Sequence, residues 1–131
     1  MKLVEVAVGV IKQGTRIFIS KRADGLHQGG KWEFPGGKRA GTETIPEALA
    51  RELMEEIGIA VLSQSPLMVI EHDYGDKQVR LDVRVVNAFS GEPASLEGQQ
   101  SRWVEIVDLP EYEFPEANKV IVEALMEKFG A

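Results

Sequence analysis

Aliphatic and β-branched residues fill positions 3–11 (LVEVAVGVI), and a second such run follows at Arg16–Lys21 (RIFISK). Both read as strands, the first as a buried one. Gln13-Gly14-Thr15 between them is a turn signal, so the two are expected to pair as a hairpin. Residues 23–30 hold three glycines and read as a loop. Trp32-Glu33-Phe34-Pro35 then leads into Gly36-Gly37, where paired glycines would let backbone approach a ligand or metal closely.

From residue 44 the period becomes helical. Thr44-Ile45-Pro46-Glu47 has the form of a capping box, with the Thr44 hydroxyl accepting an orphan helix N–H and Glu47 reaching back to the cap residue. Proline costs little in a first turn, where its missing N–H would be unpaired anyway. Ala48, Leu49, Ala50, Leu53 and Met54 favour a helix, and Gly58 stops it. At about 100° per residue, Ile45, Leu49, Leu53 and Ile57 form the buried stripe. Beyond it, 66–73 and 77–89 read as two strands around Tyr74-Gly75-Asp76, Ser90-Gly91-Glu92-Pro93 breaks the chain, and 94–100 is a polar loop. A short strand is expected at 102–107 and a closing helix at 115–129, with Val120, Ile121, Ala124, Leu125 and Phe129 on its apolar face. There is no internal repeat, low-complexity segment or linker. Strands interleaved with two helices predict an α+β fold, a mixed sheet sandwiched between helices, in one domain over residues 1–131.

The first helix carries the candidate chemistry. Glu52 and Glu56 fall roughly 40° apart around the helix, on either side of Ile45 and close to Leu49, and Glu55 lies on the far flank of Glu52. Carboxylates beside an apolar stripe are desolvated and repel one another. A hard divalent cation relieves both penalties, and Mg²⁺ takes oxygen ligands while keeping several waters. Spacing alone equally allows a solvated acidic face with an ordinary i,i+4 pair such as Arg51–Glu55.

Composition narrows the partners. The 131 residues are 44% hydrophobic and 27% charged, ordinary for one small globular domain. The net charge is −6 with no basic run, which argues against a nucleic-acid polymer as partner. A nucleotide is a smaller anion whose charge a bound metal can neutralise. The absence of cysteine excludes disulfides, thiolate zinc sites and a Cys nucleophile. Residues 3–11 are interrupted by Glu5 and lack a cleavage-like pattern after them, so a cytoplasmic location is expected. No run approaches the roughly 18 apolar residues of a membrane span. A monomer is expected.

Gly37, Glu43, Arg51, Glu52, Leu53, Glu55, Glu56, Gly58 and Ile59 together fill every specified position of the pattern G-x5-E-x7-R-E-U-x-E-E-x-G-U, with U aliphatic. The chain therefore resembles the Nudix hydrolases. Further segments resemble the MutT-like branch of that family, which hydrolyses 8-oxo-dGTP to 8-oxo-dGMP and pyrophosphate and so removes oxidised guanine from the precursor pool. They are Ala7-Val-Gly-Val-Ile11, Arg22-Ala-Asp24 with His27, Glu33-Phe-Pro-Gly-Gly-Lys38, Gly91-Glu-Pro93, Glu97-Gly-Gln99 and Phe114-Pro-Glu-Ala-Asn118.

The resemblance implies roles. Glu52, Glu55 and Glu56 would hold Mg²⁺, or Mn²⁺ in its place, with help from the Gly36 carbonyl and from Glu97 on a mobile loop. Glu43 and Arg51 would be structural, the arginine bridging loop to helix, with Gly37 and Gly58 completing the frame. Arg22 and Lys38 would contact the phosphates, Phe34 would help form the base pocket, and Asn118 would read the purine edge. Glu52 is the first choice to activate water, which would attack the β-phosphorus in line.

Several residues have plainer alternatives. Asn118 could instead cap the last helix, since asparagine favours such positions. His27 and His72 lack the spacing of a metal pair, and His27 suits an exposed loop. Trp32 and Trp103 suit core or pocket wall, and Lys21-Arg22 could be a solvated pair. The chain departs from the MutT-like pattern at 74–84, which is more charged and less aromatic, and at Gln28-Gly29-Gly30. Base preference therefore has alternatives: a pyrimidine triphosphate or a dinucleoside polyphosphate as substrate, or a silent nucleotide-sensing domain.

Overall fold

A computed structural model describes residues 2–22 and 30–130. The His27 assignment, most of the glycine-bearing loop, and the Ala23-Asp24 and Gln28-Gly29 positions lie outside the described residues. The order is β1 (Lys2–Gln13), β2 (Arg16–Lys21), β3 (Trp32–Glu33), β4 (Gly36–Lys38), α1 (Ile45–Ile57), β5 (Ala60–Asp73), β6 (Lys77–Ser90), β7 (Ser101–Glu105), a 3₁₀ helix (Ile106–Glu111) and α2 (Glu116–Phe129).

The strands form one mixed sheet in the order β3-β2-β1-β6-β5, with β4 also pairing β1 and β7 pairing β2. β1 and β2 make the expected antiparallel hairpin. The β1–β6 pairing is parallel, from Lys2↔Lys77 to Ile11↔Val86. Successive residues of a strand point to opposite faces, and β1 shows the result. Ala7 and Ile11 join Leu49, Leu53 and Ile57 of α1 in one core. Val8 and Val10 join Ile121, Val122 and Leu125 of α2 in the other. The sheet is thus sandwiched between the two helices, as expected from the sequence.

α1 forms for the anticipated reasons. The Thr44 hydroxyl accepts from the Glu47 N–H at 3.3 Å, and the Glu47 carboxylate accepts from the Thr44 N–H at 2.8 Å. Gly58 adopts φ 72°, a left-handed cap whose N–H meets the Leu53 and Met54 carbonyls. The tryptophans are packed: Trp103 sits edge-on to Phe18, and Trp32 edge-on to Tyr112.

Three expectations need correcting. β5 begins at Ala60 rather than 66, because pairing with β6 carries the strand through the polar stretch Ser63-Gln64-Ser65. Register shifts at Val61/Ser63, Ser63/Gln64 and Pro66/Met68 broke the alternation that would have revealed it. The last strand ends at Glu105, and 106–111 winds into a 3₁₀ helix that buries Ile106 and Leu109. On α2, Val120 is 40% exposed, and Val122 is buried in its place. Residues 118, 121, 122, 125 and 129 fall within about 100° of one another around a helix, and position 120 does not.

Leu53 is fully buried between α1 and the sheet. Leu53→Ala is expected to cost about 2–5 kcal/mol, against about 1 kcal/mol for Thr44→Ala at the exposed cap. Urea unfolding of the two variants checks the order; equal penalties would contradict this account of what holds α1.

Candidate functional site

The loop from Lys38 to Thr44 and the acidic side of α1 meet through one guanidinium. Arg51 donates from Nε to Glu43 Oε2 at 2.6 Å and from Nη2 to Glu43 Oε1 at 3.0 Å. Nη1 donates to Glu52 at 2.8 Å and Glu55 at 3.1 Å, and Nη2 also donates to the Lys38 carbonyl at 3.2 Å. A rigid planar fork can serve all of these acceptors at once, which a lysine ammonium cannot. Glu43 also accepts from the Ala40 N–H at 2.9 Å. Hydrogen bonds from Arg51 lower the Glu43 carboxyl to about 2, with the Ala40 N–H and the Arg39 charge adding to the effect. Hydrogen bonds to Glu43, then to Glu55 and Glu52, hold the Arg51 pKa above its ordinary value.

The paired glycines are explained by packing. A Cβ on Gly36 would strike the Ala7 carbonyl of β1, and one on Gly37 would strike the Glu52 carboxylate. The close approach is therefore to the neighbouring strand and to a site glutamate. It brings the Gly36 N–H to Glu56 Oε2 at 3.3 Å.

Glu56 is perturbed in the opposite sense to Glu43. Burial pushes it up to about 7; the Gly36 N–H opposes the rise, and the charges of Glu33, Glu97 and Glu52 add to it. Among the described residues no three acidic or histidine side chains are gathered into a ready-made metal cage. Glu52 and Glu55 are instead turned onto Arg51. The donor set still fits a hard divalent cation: three carboxylates from one helix, all oxygen, with Glu97 near enough to raise the Glu56 carboxyl. Burial and repulsion among them raise the Glu56 carboxyl, and a cation would relieve both.

Glu33 is a member that motif reading passed over. It donates nothing but accepts from Arg22 Nη1 at 2.8 Å. Burial raises its carboxyl, Arg22 opposes, and Glu97 raises it further. The available signal was a glutamate between Trp32 and Phe34 in a strand-forming run. Arg22 therefore reaches the site already engaged, and Lys38 is exposed at the end of β4.

The base-pocket candidates lie at α2. Phe34 is buried and stacks on Phe114 with ring centroids 5.2 Å apart. Pro115 is the residue that caps α2, and its carbonyl accepts from the Asn118 N–H at 2.9 Å. The helix-cap alternative for Asn118 is thus excluded. Its half-buried side chain lies on the sheet-facing stripe, and no hydrogen bond holds its amide among the described residues. A cavity of about 590 Å³ between the 3₁₀ helix and α2, lined by Leu109, Tyr112, Phe114, Val122 and Met126, is a separate feature that none of the box glutamates lines.

Arg51→Lys should lower the thermal midpoint and turnover together, since the two-point contact with Glu43 is lost. The acid limb has a definite sign. Glu43 has a folded pKa near 2 against an ordinary 4.5, so its contribution is complete above 4.5 and disappears as pH falls toward 2. Thermal melts of wild type and Glu43→Gln should therefore differ by a constant amount above about pH 5 and converge below it. A gap that widens with acid contradicts the assignment.

Comparison with known proteins agrees with this geometry. The model of the NUDIX domain matches residues 6–124. The chain is 38% identical over 126 residues to the 8-oxo-dGTP diphosphatase of Escherichia coli K12, covering 95% of this chain and 98% of that protein. It is 29% identical over 126 residues to the CTP pyrophosphohydrolase of the same organism, covering 96% and 93%. A solved structure from a study of MutT of Aliivibrio salmonicida and Vibrio cholerae superposes with a TM-score of 0.88 at 42% identity, covering 98% of this chain and all of that one. With a matched domain spanning nearly its whole length and a complete box folded as one loop and helix, the chain belongs to the Nudix hydrolase family.

Proposed function

We propose that this protein is a Mg²⁺-dependent nucleoside triphosphate pyrophosphohydrolase, a single catalytic domain over residues 1–131, and that its substrate is 8-oxo-dGTP. The observation that carries the reading is the Arg51-clamped loop and helix. It sets Glu52, Glu55 and Glu56 on one helix beside Gly36 and Gly37, with the Asn118 amide free to hydrogen-bond a ligand. The choice of nucleotide is supported by the named activity of the 38% identical relative. The CTP-cleaving relative keeps a pyrimidine triphosphate as the second reading.

Glu52, Glu55, Glu56 and the Gly36 carbonyl would hold the cation, joined by Glu97. When bound, a divalent metal neutralises charge on the leaving pyrophosphate and lowers the pKa of the attacking water. The chain's own residues do the rest. Glu52 is assigned to take the water's proton as water attacks the β-phosphorus and the bond to the α,β-bridging oxygen breaks, giving a nucleoside monophosphate and pyrophosphate. Lys38 and Arg22 would meet the phosphates; Arg22 must share or exchange its Glu33 contact to do so. Asn118 offers both a donor and an acceptor, so it can bind a purine edge at two points. Phe34 backs that pocket from the core. The protein is read as a monomer working on a free nucleotide. No helix among the described residues is long and apolar enough to cross a membrane.

Glu52→Gln and Glu56→Gln each remove a charged oxygen and keep shape. Each should lower Mg²⁺-dependent turnover by at least about 10²-fold while leaving the circular dichroism spectrum unchanged. Near-wild-type turnover in both variants at saturating Mg²⁺ sinks the metal assignment.

A kinetic panel containing 8-oxo-dGTP, dGTP, CTP and a dinucleoside polyphosphate tests the substrate. A kcat/KM for 8-oxo-dGTP no greater than for dGTP ends the oxidised-guanine reading and leaves the family assignment standing. In Asn118→Ala the preference for 8-oxo-dGTP should shrink by about 1–3 kcal/mol, the usual effect of one buried polar contact. An unchanged preference moves the base reader to the 74–84 hairpin.

A further inference from the structure

The segment between β6 and β7 is tied down at both ends and carries Glu97 between the ties. At its start, the Ala94 N–H donates to the Ile57 carbonyl at 3.2 Å and the Leu96 N–H to the Glu56 carbonyl at 3.0 Å. These are carbonyls of the last turn of α1, which a helix leaves open at its C-terminus. At its end, the Gln100 carbonyl accepts from the Lys21 N–H of β2 at 2.8 Å. The loop is therefore docked on the same helix turn that carries Glu56.

Between the ties runs a short chain of side-chain hydrogen bonds. The Gln99 N–H donates to Ser95 Oγ at 3.1 Å, the Ser95 hydroxyl donates to Gln99 Oε1 at 2.6 Å, and Gln99 Nε2 donates to Glu97 Oε1 at 3.4 Å. This chain has one consistent direction. Ser95 Oγ already accepts a backbone N–H, so its single proton is free to be donated, and it goes to the amide oxygen of Gln99. The amide nitrogen is thereby left facing Glu97. A flipped amide would set its oxygen against a carboxylate and leave the Ser95 hydroxyl without that acceptor. The donor is also neutral. Arg51 binds Glu52 and Glu55 with a full charge that competes with a cation, whereas an amide can aim a carboxylate without neutralising it.

We propose that Gln99, oriented by Ser95, is a positioning residue that aims the Glu97 carboxylate toward the cation site beside Glu56. The inference rests on the reading of Glu97 as a metal ligand, and the test separates the two. Mn²⁺ or Mg²⁺ binding is measured by calorimetry on the full chain without nucleotide, alongside the thermal midpoint of the metal-free protein. Glu97→Gln should weaken binding. Gln99→Ala should weaken it by about 10-fold, the lower end of what partners of metal ligands contribute. Ser95→Ala should follow in the same direction, and Ser95→Thr, which keeps the hydroxyl, should bind like wild type. The double variant Glu97→Gln/Gln99→Ala should bind no more weakly than Glu97→Gln alone, because both changes act through one carboxylate.

Unaltered affinity in Glu97→Gln overturns the ligand reading and this inference together. A weakened Glu97→Gln beside an unaltered Gln99→Ala, or penalties that add in the double variant, overturns the positioning role alone. A lowered metal-free midpoint with intact metal affinity in Gln99→Ala makes Gln99 a loop fastener and also overturns it.

Discussion

A single guanidinium lets an acidic helix face and an adjacent loop coexist. Arg51 places its donors on Glu43, Glu52, Glu55 and the Lys38 carbonyl, so three carboxylates share one cation and the loop is fixed to the helix. The site then divides electrostatically. On the Arg51 side, charge is offset by the protein itself. On the Glu56 side Arg22 pairs with Glu33, yet burial and the charges of Glu33, Glu97 and Glu52 still raise the Glu56 carboxyl. An enzyme that must bind both a hard cation and a polyphosphate needs this asymmetry, since a fully neutralised cluster would have no use for the metal.

The scaffold beneath the clamp is set by strand β1. Its alternate residues feed two cores, its Ala7 carbonyl leaves room only for glycine at 36, and the Glu52 carboxylate lies directly over Gly37. Glutamate placement is thus a consequence of how closely β4 lies on β1 under α1.

Much of this was readable from sequence where the local signal and the tertiary demand coincide. Thr44, Glu47 and Gly58 fixed α1 because capping is a property of a few neighbouring residues. The sandwich followed from the change of period between strands and helices. The start of β5 was hidden because bulges in register erase the two-residue alternation. Val120 was placed on the wrong side of α2 because an apolar residue alone does not set a helix's rotation, whereas Asn118, Ile121, Val122 and Leu125 together do. Glu33 opens a segment that resembles the MutT-like branch, yet the segment gives it no role; its membership comes from a strand that brings it within the field of Glu56 and Glu97, a long-range fact.

The parallel pairing of β1 with β6 has a consequence for how the molecule is made. Every matched pair from Lys2↔Lys77 to Ile11↔Val86 is separated by 75 positions in the chain. During synthesis the first strand leaves the ribosome long before its central neighbour exists, at about 5–20 residues per second. For several seconds its apolar residues have only the neighbours that precede β6, namely β2, β4 and α1, to cover them, and the β6 side of the strand stays unpaired. Long-range pairing of this kind is slow and leaves strand edges open to other chains. Glu5, in the middle of an otherwise aliphatic strand and later bound by Arg39, puts a charge on that edge during the wait.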